Sequence, residues 1–207
     1  MNKRPFLSKR QKFYLPFKRL LDILCSFLTI VVFLPLYIVL AILVKVTSKG
    51  PIFFKQERIG KNKKHFKILK FRTMRIDTPK NVPTHMLENP EQYITGVGKF
   101  LRKTSLDEIP QAFNIFVGQM SIVGPRPALY NQDDLVAERD KYHANEIIPG
   151  LSGWAQCNGR DTLPIEEKAR LDGEYVERFN FWFDVRIVFK TVFQAFRGKD
   201  EVEGKKK

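Results

Sequence analysis

The chain has 207 residues, 43% of them hydrophobic, and carries 36 Lys and Arg against 22 Asp and Glu for a net charge of +14. That apolar content excludes wholesale disorder, and the length allows one domain, or one domain with an anchor. Two distant cysteines, Cys25 and Cys157, and the scattered His65, His85 and His143 exclude a disulfide framework or a zinc motif and favour a reducing, cytoplasm-facing protein.

The positive charge is uneven. Residues 1–75 hold 18 of the 36 basic residues but only Asp22 and Glu57 among the acids. Such a field suits an anionic membrane or a polyphosphate ligand, with nucleic acid as the other candidate. Residues 1–19 are basic and acid-free, with Phe6, Phe13, Tyr14 and Phe17 interleaved. Residues 23–44 then run 22 positions without a charge. At about 1.5 Å per residue, a straight helix of that length matches a hydrocarbon core of roughly 30 Å. Both flanks are basic, however, and positive charge marks one side of a bilayer. Pro35 lies near the middle, where it removes a backbone bond and breaks the helix. A re-entrant helix–break–helix meets both facts, and a kinked spanning helix is the competing reading. Each Lys or Arg near an anionic leaflet adds on the order of 1 kcal/mol, so the flanks should press the adjoining domain against the headgroups.

Residues 52–60 and 65–71 read as two short strands, with Gly60-Lys61-Asn62-Lys63 as the turn. Lys67, Lys70, Arg72 and Arg75 cluster around Phe71, without a recognised nucleic-acid motif. Residues 76–98, with Pro79, Pro83 and Pro90, read as a loop suited to carry specificity. Gly96-Val97-Gly98-Lys99 lacks the spacing of a phosphate-binding glycine loop.

Residues 102–114 draw most attention. Asp107 and Glu108 come after a basic, hydroxyl-rich lead-in and precede an apolar run at helical spacing. Pro110 is tolerated only in a first turn, which puts the two carboxylates beside a helix start, with Gly118 as its stop. A helix start would keep Asp107 ionised and help to hold a phosphate. Ser105-x-x-Glu108 equally fits a capping box, and these residues alone leave both readings open.

Further on, Pro125 and Pro127 present Arg126 from a stiff extended segment, either as a phosphate donor or as a rigid surface turn. Residues 128–147 look helical and solvated. Three glycines surround Trp154, and Gln156, Asn158 and Arg160 supply polar groups. That segment suits a nucleotide or sugar pocket, or simply a buried Trp in a turn. Residues 163–177 read as a charged helix. An amphipathic stretch then places Val185, Val188, Phe189, Val192, Phe193 and Phe196 on one side and Asp184, Arg186, Lys190, Gln194 and Arg197 on the other. It fits a bilayer interface or a dock on the protein's own core. Gly198 ends it, before a tail closing with Lys205-Lys206-Lys207.

Taken together, these motifs form an ordered series: Gln56-x-Arg58-x-Gly60, Lys70-Phe71-Arg72-Thr73-Met74, Ser105-Leu106-Asp107-Glu108, Val123-Gly124-Pro125-Arg126-Pro127 and Pro149-Gly150-x-x-Gly153-Trp154-Ala155-Gln156-x-Asn158-Gly159-Arg160. Over about residues 17–197 the chain closely resembles the bacterial sugar transferases, monotopic phosphoglycosyl transferases acting on polyprenyl phosphate. The resemblance implies an α+β fold: a membrane-embedded re-entrant helix, a small β-hairpin, and interfacial helices around a compact cytoplasmic catalytic domain. The corresponding divisions are a basic segment at 1–19, the re-entrant helix at 20–46, the catalytic domain at 47–198 and a tail at 199–207. It also implies a Mg²⁺-dependent reaction at the cytoplasmic face of a bacterial inner membrane, between a UDP-sugar and polyprenyl (undecaprenyl) phosphate, with UMP released.

In that family the Asp of the Asp-Glu pair becomes covalently linked to phosphosugar, a role that falls here on Asp107. Glu108 joins it in catalysis and in holding the metal. Arg102, Arg126, Lys70 and Arg160 match positions that bind substrate phosphate, and Arg72, Pro125, Trp154, Gln156 and Asn158 would line the nucleotide or sugar pocket. The expected partners are the two substrates and anionic lipids, without nucleic acid. Oligomeric state, a homodimer included, and the identity of the sugar stay open. Two departures stand out, Leu34 where many members have Ser before the proline, and Cys157 for an aliphatic residue. With no additional membrane domain before the core, the chain reads as a minimal form. The alternative is a catalytically silent membrane-surface scaffold that binds polyanions.

Overall fold

The computed structural model describes residues 6–78, 89–159 and 163–196. Arg160, Arg197, Gly198, the tail at 199–207, His85 and the prolines at 79 and 83 lie outside the described residues.

Helix α1 (Lys9–Val32) opens on a capping box, with Ser8 Oγ accepting from the Gln11 N–H at 3.2 Å and Gln11 Oε1 accepting from the Ser8 N–H at 2.9 Å. It runs unbroken through residues 19 and 20 and tolerates Pro16, so from Lys9 onward the basic segment is not a separate unit but the first half of this helix. That half is bonded into the rest of the molecule. Gln11 donates to the Val176 carbonyl (2.8 Å), and the Arg19 guanidinium donates to the Ile115 and Phe116 carbonyls (2.6 and 2.7 Å). Asp22 is buried and accepts from the Ile122 N–H at 2.9 Å.

The chain bends by 62° after Val32 and continues as α2 (Leu34–Thr47). The break falls at Phe33, two residues before the proline expected to carry it; Pro35 sits in the first turn of α2, where its missing N–H costs least. Among the described residues no single helix is long and apolar enough to cross a membrane; the bent pair passes that test only together. Tyr37, Leu40 and Val44 of α2 pack against Phe71 and Leu101, while Leu28, Val32, Ile38, Ile42 and Val46 are all more than half exposed.

Strands β1 (Phe53–Ile59) and β2 (His65–Phe71) pair antiparallel from Phe53↔Phe71 to Ile59↔His65, the hairpin that alternation and turn chemistry predict. Asn62 takes the left-handed conformation in the connecting turn. Helix α3 (Gly96–Lys103) is capped by Thr95, and Gly98 lets it approach the hairpin's exit: a Cβ there would meet the Thr73 carbonyl oxygen at 2.0 Å. Helix α4 (Gln111–Phe116) ends as expected at Gly118, whose φ of +87° closes the turn. From α4, Asn114 accepts from the Leu69 N–H and donates to the Lys67 carbonyl, each at 2.9 Å, holding β2.

Two three-residue strands, β3 (Ser121–Val123) and β4 (Gly150–Ser152), pair in parallel and are too short to show a period in sequence. Of residues 128–147, only α5 (Asp133–Asp140) and a 3₁₀ turn at Ala144–Glu146 are helical, and Leu129 instead bridges back to Arg58 on β1. Helix α6 (Trp154–Cys157) is short, and α7 (Ile165–Arg178) and α8 (Phe181–Phe196) lie near the predicted positions. Phe183 and Ile187 of α8 enter a core with Val123, Tyr175, Val176 and Phe179.

Asp184 departs from the amphipathic reading. It is buried rather than solvated and accepts from Tyr14 Oη (2.9 Å), Lys18 Nζ (2.5 Å) and Tyr175 Oη (2.8 Å). Three donors with one carboxylate satisfy a group that could not otherwise be enclosed. On the opposite face Trp182 and Phe189 stay 76% and 71% exposed, so α8 docks on the core and still presents aromatic surface. The architecture is thus mixed helix and small sheet, an α+β arrangement.

Candidate active site

After α3 the backbone enters the left-handed region at Ser105, with φ of +55°, and then forms a single 3₁₀ turn, Leu106–Glu108. A non-glycine residue held there costs of order 1–3 kcal/mol, a strain that clusters at functional sites. The Ser105 side chain caps nothing, and the capping box anticipated with Glu108 is not formed. The carboxylates also precede a separate six-residue helix rather than lying in its first turn, which weakens any stabilisation from α4. Asp107 is instead buried in the turn, and Glu108 reaches across to two cations.

Lys70 Nζ, from β2, donates to Glu108 Oε1 at 2.5 Å, and Arg126 Nη2 donates to the same oxygen at 3.3 Å. Burial pushes the Glu108 carboxyl up, but the two cations more than offset it and hold the group well below the usual carboxylate range. Three chain segments remote in sequence therefore bring Lys70, Asp107, Glu108 and Arg126 together, four of the residues expected from sequence. Arg102, in the last turn of α3, donates through Nε to Thr73 Oγ1 at 3.0 Å. Pro125 is buried beside Arg126, and its carbonyl accepts from the Gly150 N–H at 2.9 Å.

Arg72 is not placed as a pocket residue. Its guanidinium donates to the carbonyl and hydroxyl of Ser48, both at 2.8 Å, and to the Lys49 carbonyl, closing the C-terminal end of α2. Arg72→Met should lower stability by about 2 kcal/mol, because charged hydrogen bonds are lost and enclosed carbonyls are left without donors. Thermal unfolding in detergent measures this, and an unchanged midpoint would refute the helix-closing role.

The Trp154 segment also serves packing. The indole N–H donates to Glu174 Oε2 at 3.0 Å, and its ring lies 5.1 Å from that of Phe183. Gln156 donates to the Leu151 carbonyl at 3.3 Å. Asn158 donates to the Trp154 carbonyl (2.7 Å) and accepts from Lys190 (2.8 Å). These contacts join α6 to β4, α7 and α8 rather than to the Glu108 cluster. Arg160 lies outside the described residues. Sequence reasoning gives Arg58 no role at the site, yet the structure sets it against the Arg126 turn; its place two residues from Gln56 on a strand is the available signal.

Among the described residues no group of three or more His, Cys, Asp and Glu is arranged to hold a metal. Oxygen ligands for a cation here would come from the carboxylates of Glu108 and of Asp107, its neighbour in sequence; both cations that contact Glu108 do so through Oε1. That donor set fits Mg²⁺, which takes one or two carboxylates and completes its shell with waters and phosphate oxygens. Enclosed volume does not mark this site: a cavity of about 330 Å³ is lined elsewhere, by Leu15, Asp22, Val123, Ile147 and Phe179 among others. The charge cluster marks it.

Residues 13–198 match the family model described as bacterial sugar transferase. An Escherichia coli K12 protein, UDP-glucose:undecaprenyl-phosphate glucose-1-phosphate transferase, is 40% identical over 195 residues, covering 88% of this chain and 40% of its own length. The Aeromonas hydrophila UDP-N-acetylgalactosamine-undecaprenyl-phosphate N-acetylgalactosaminephosphotransferase is 38% identical over 189 residues, covering 87% and 44%. The exopolysaccharide production protein ExoY of Rhizobium meliloti 1021 is 35% identical over 189 residues, covering 84% and 83%. The chain therefore spans less than half of the first two relatives and most of the third.

Proposed function

The chain belongs to the bacterial sugar transferase family, and from that premise we propose that it moves a sugar-1-phosphate from a UDP-sugar to polyprenyl phosphate, with undecaprenyl phosphate the expected acceptor. The observation that carries this reading is the buried Asp107 beside a Glu108 already gripped by Lys70 and Arg126. Carboxylates and cations at one point suit a diphosphate whose charge must be neutralised while one of its bonds breaks.

In the first step an Asp107 carboxylate oxygen attacks the phosphorus that bears the sugar. The bond from that phosphorus to the bridging oxygen breaks, UMP departs with the electron pair, and the phosphosugar is esterified to Asp107. In the second step an oxygen of the polyprenyl phosphate attacks the same phosphorus and the Asp107 carboxylate leaves. The product is a polyprenyl-diphosphate sugar, and the sugar–oxygen bond is never broken. Splitting one difficult displacement into two is what a carboxylate nucleophile offers. Lys70 and Arg126 bind and orient the diphosphate, and Arg102 adds a third cation from α3. Mg²⁺, held by Asp107 and Glu108, would supply further neutralisation of phosphate charge.

The bent α1–α2 pair enters and leaves by one leaflet in this reading, at the cytoplasmic face of the bacterial inner membrane. Its support is the uncovered apolar surface of both helices and the basic residues on both flanks. At that depth a lipid-borne phosphate and a soluble nucleotide reach the same aspartate. Such a transfer opens glycan assembly, for a capsule, exopolysaccharide, O-antigen or glycoprotein. Detergent-solubilised protein with Mg²⁺, undecaprenyl phosphate and a panel of UDP-sugars that includes UDP-glucose and UDP-N-acetylgalactosamine should release UMP with at least one donor. Silence across the panel would favour the scaffold reading and overturn the transferase.

A further inference from the structure

We propose that Arg58 is a positioning residue for Arg126, fixing the proline-flanked turn from which that guanidinium meets phosphate. The inference rests on the phosphate role given to Arg126 above. Pro125 and Pro127 have no N–H groups, so the turn cannot be anchored through their own donors. Only their carbonyls are available, and both are taken. The Pro125 carbonyl accepts from the Gly150 N–H at 2.9 Å, on the β4 side. The Pro127 carbonyl accepts from Arg58 Nη1 at 3.1 Å, on the β1 side.

Further contacts set Arg58 itself. Its Nη2 donates to Gln56 Oε1 at 2.6 Å, and these two residues share one strand face. The backbone of Arg58 bridges to Leu129, and the Ile59 N–H donates to the Ala128 carbonyl at 2.9 Å. The turn is thus held on both sides of Arg126, by groups that are not in the Glu108 cluster. Arg126 keeps 37% of its side-chain surface exposed, and its contact with Glu108 is a long 3.3 Å. A long side chain on a loosened turn would spread over many rotamers.

A purely structural Arg58 would change stability and leave phosphate affinity alone, or change affinity whether or not Arg126 is present. A double-mutant cycle separates these cases. Calorimetric titration of inorganic pyrophosphate with Mg²⁺ into the detergent-solubilised full chain is the readout, with Arg58→Met, Arg126→Ala and the double variant. Arg126→Ala should weaken binding about tenfold, as expected for a lost charged hydrogen bond. Arg58→Met should weaken it about fivefold with Arg126 present and by less than about 1.5-fold in its absence.

Should Arg58→Met fail to fold, Gln56→Ala takes its place in the cycle, with an expected loss of about twofold that again vanishes without Arg126. Independent, multiplying effects would overturn the proposal. So would wild-type affinity in both the Arg58 and Gln56 variants, or no pyrophosphate binding by the wild type. The transferase reading fails separately: pyrophosphate would bind with the expected coupling while no UDP-sugar yields UMP.

Discussion

Asp107→Asn should reduce UMP release by at least about a thousandfold while leaving the fold intact, since removing a covalent nucleophile costs far more than removing one binding contact. Asparagine has nearly the same volume, and the position is enclosed, so any loss of activity is not a loss of packing. The chemical signature is as specific as the kinetic one. Wild-type protein incubated with its donor but no lipid acceptor should gain the mass of one phosphosugar, and Asp107→Asn should gain none. Intact-mass spectrometry reads both. Brisk turnover by the Asn variant would place the nucleophile elsewhere in the site.

A large effect on stability is expected far from that chemistry, where α5 meets α7. Arg139 donates through Nε and Nη2 to Asp172 Oδ2 at 2.8 and 2.5 Å, and both side chains are almost fully enclosed. Arg139→Met leaves a buried carboxylate without its partner and should cost about 3–5 kcal/mol. Burial pushes the Asp172 carboxyl up, and Arg139 is the main influence opposing it. Even with Arg139 in place the carboxyl stays above its usual range, and without Arg139 the upward push is stronger still. A carboxyl raised in the folded state favours folding when protonated, so its contribution is present at low pH and lost as pH rises through the folded value. The deficit of Arg139→Met in thermal unfolding should therefore be largest near neutral pH and shrink as the buffer is acidified towards about pH 5. A deficit that stays constant or grows on acidification would contradict the account.

The parts of the molecule legible in the sequence are those with a local physical signature. Alternation and a Gly-Lys-Asn-Lys turn locate β1 and β2 to within a residue. A proline in an apolar run locates the break between α1 and α2 to within two residues. Lys70, Asp107, Glu108 and Arg126 are anticipated from motif order, and three of these side chains do meet directly.

The illegible parts depend on contacts between distant segments. Asp184 has a polar neighbour pattern in sequence, and only Tyr14, Lys18 and Tyr175 make its burial tolerable. Arg72 sits amid basic residues that suggest a ligand, yet the end of α2 needs donors and claims it. Trp154 lies in a glycine-rich run that suits a pocket, but Glu174 and Phe183 give its ring and N–H partners inside the protein. The parallel pair β3–β4 carries too few residues for any periodicity to announce it.

The unbroken course of α1 constrains how this protein can be handled. Its first three turns supply a wall of the molecule through Gln11, Tyr14 and Lys18, and the same rod continues into the uncovered apolar stretch. Within α1 there is no swivel at which the apolar stretch could be cut away from the rest of the molecule. Trimming before residue 53 would open the core and strip Asp184 of Tyr14 and Lys18, two of its three donors, leaving Tyr175 alone. For the same reason, on the membrane-embedded reading proposed above, the tilt of Asp107 against a lipid surface would be decided by folding, in advance of any encounter with substrate.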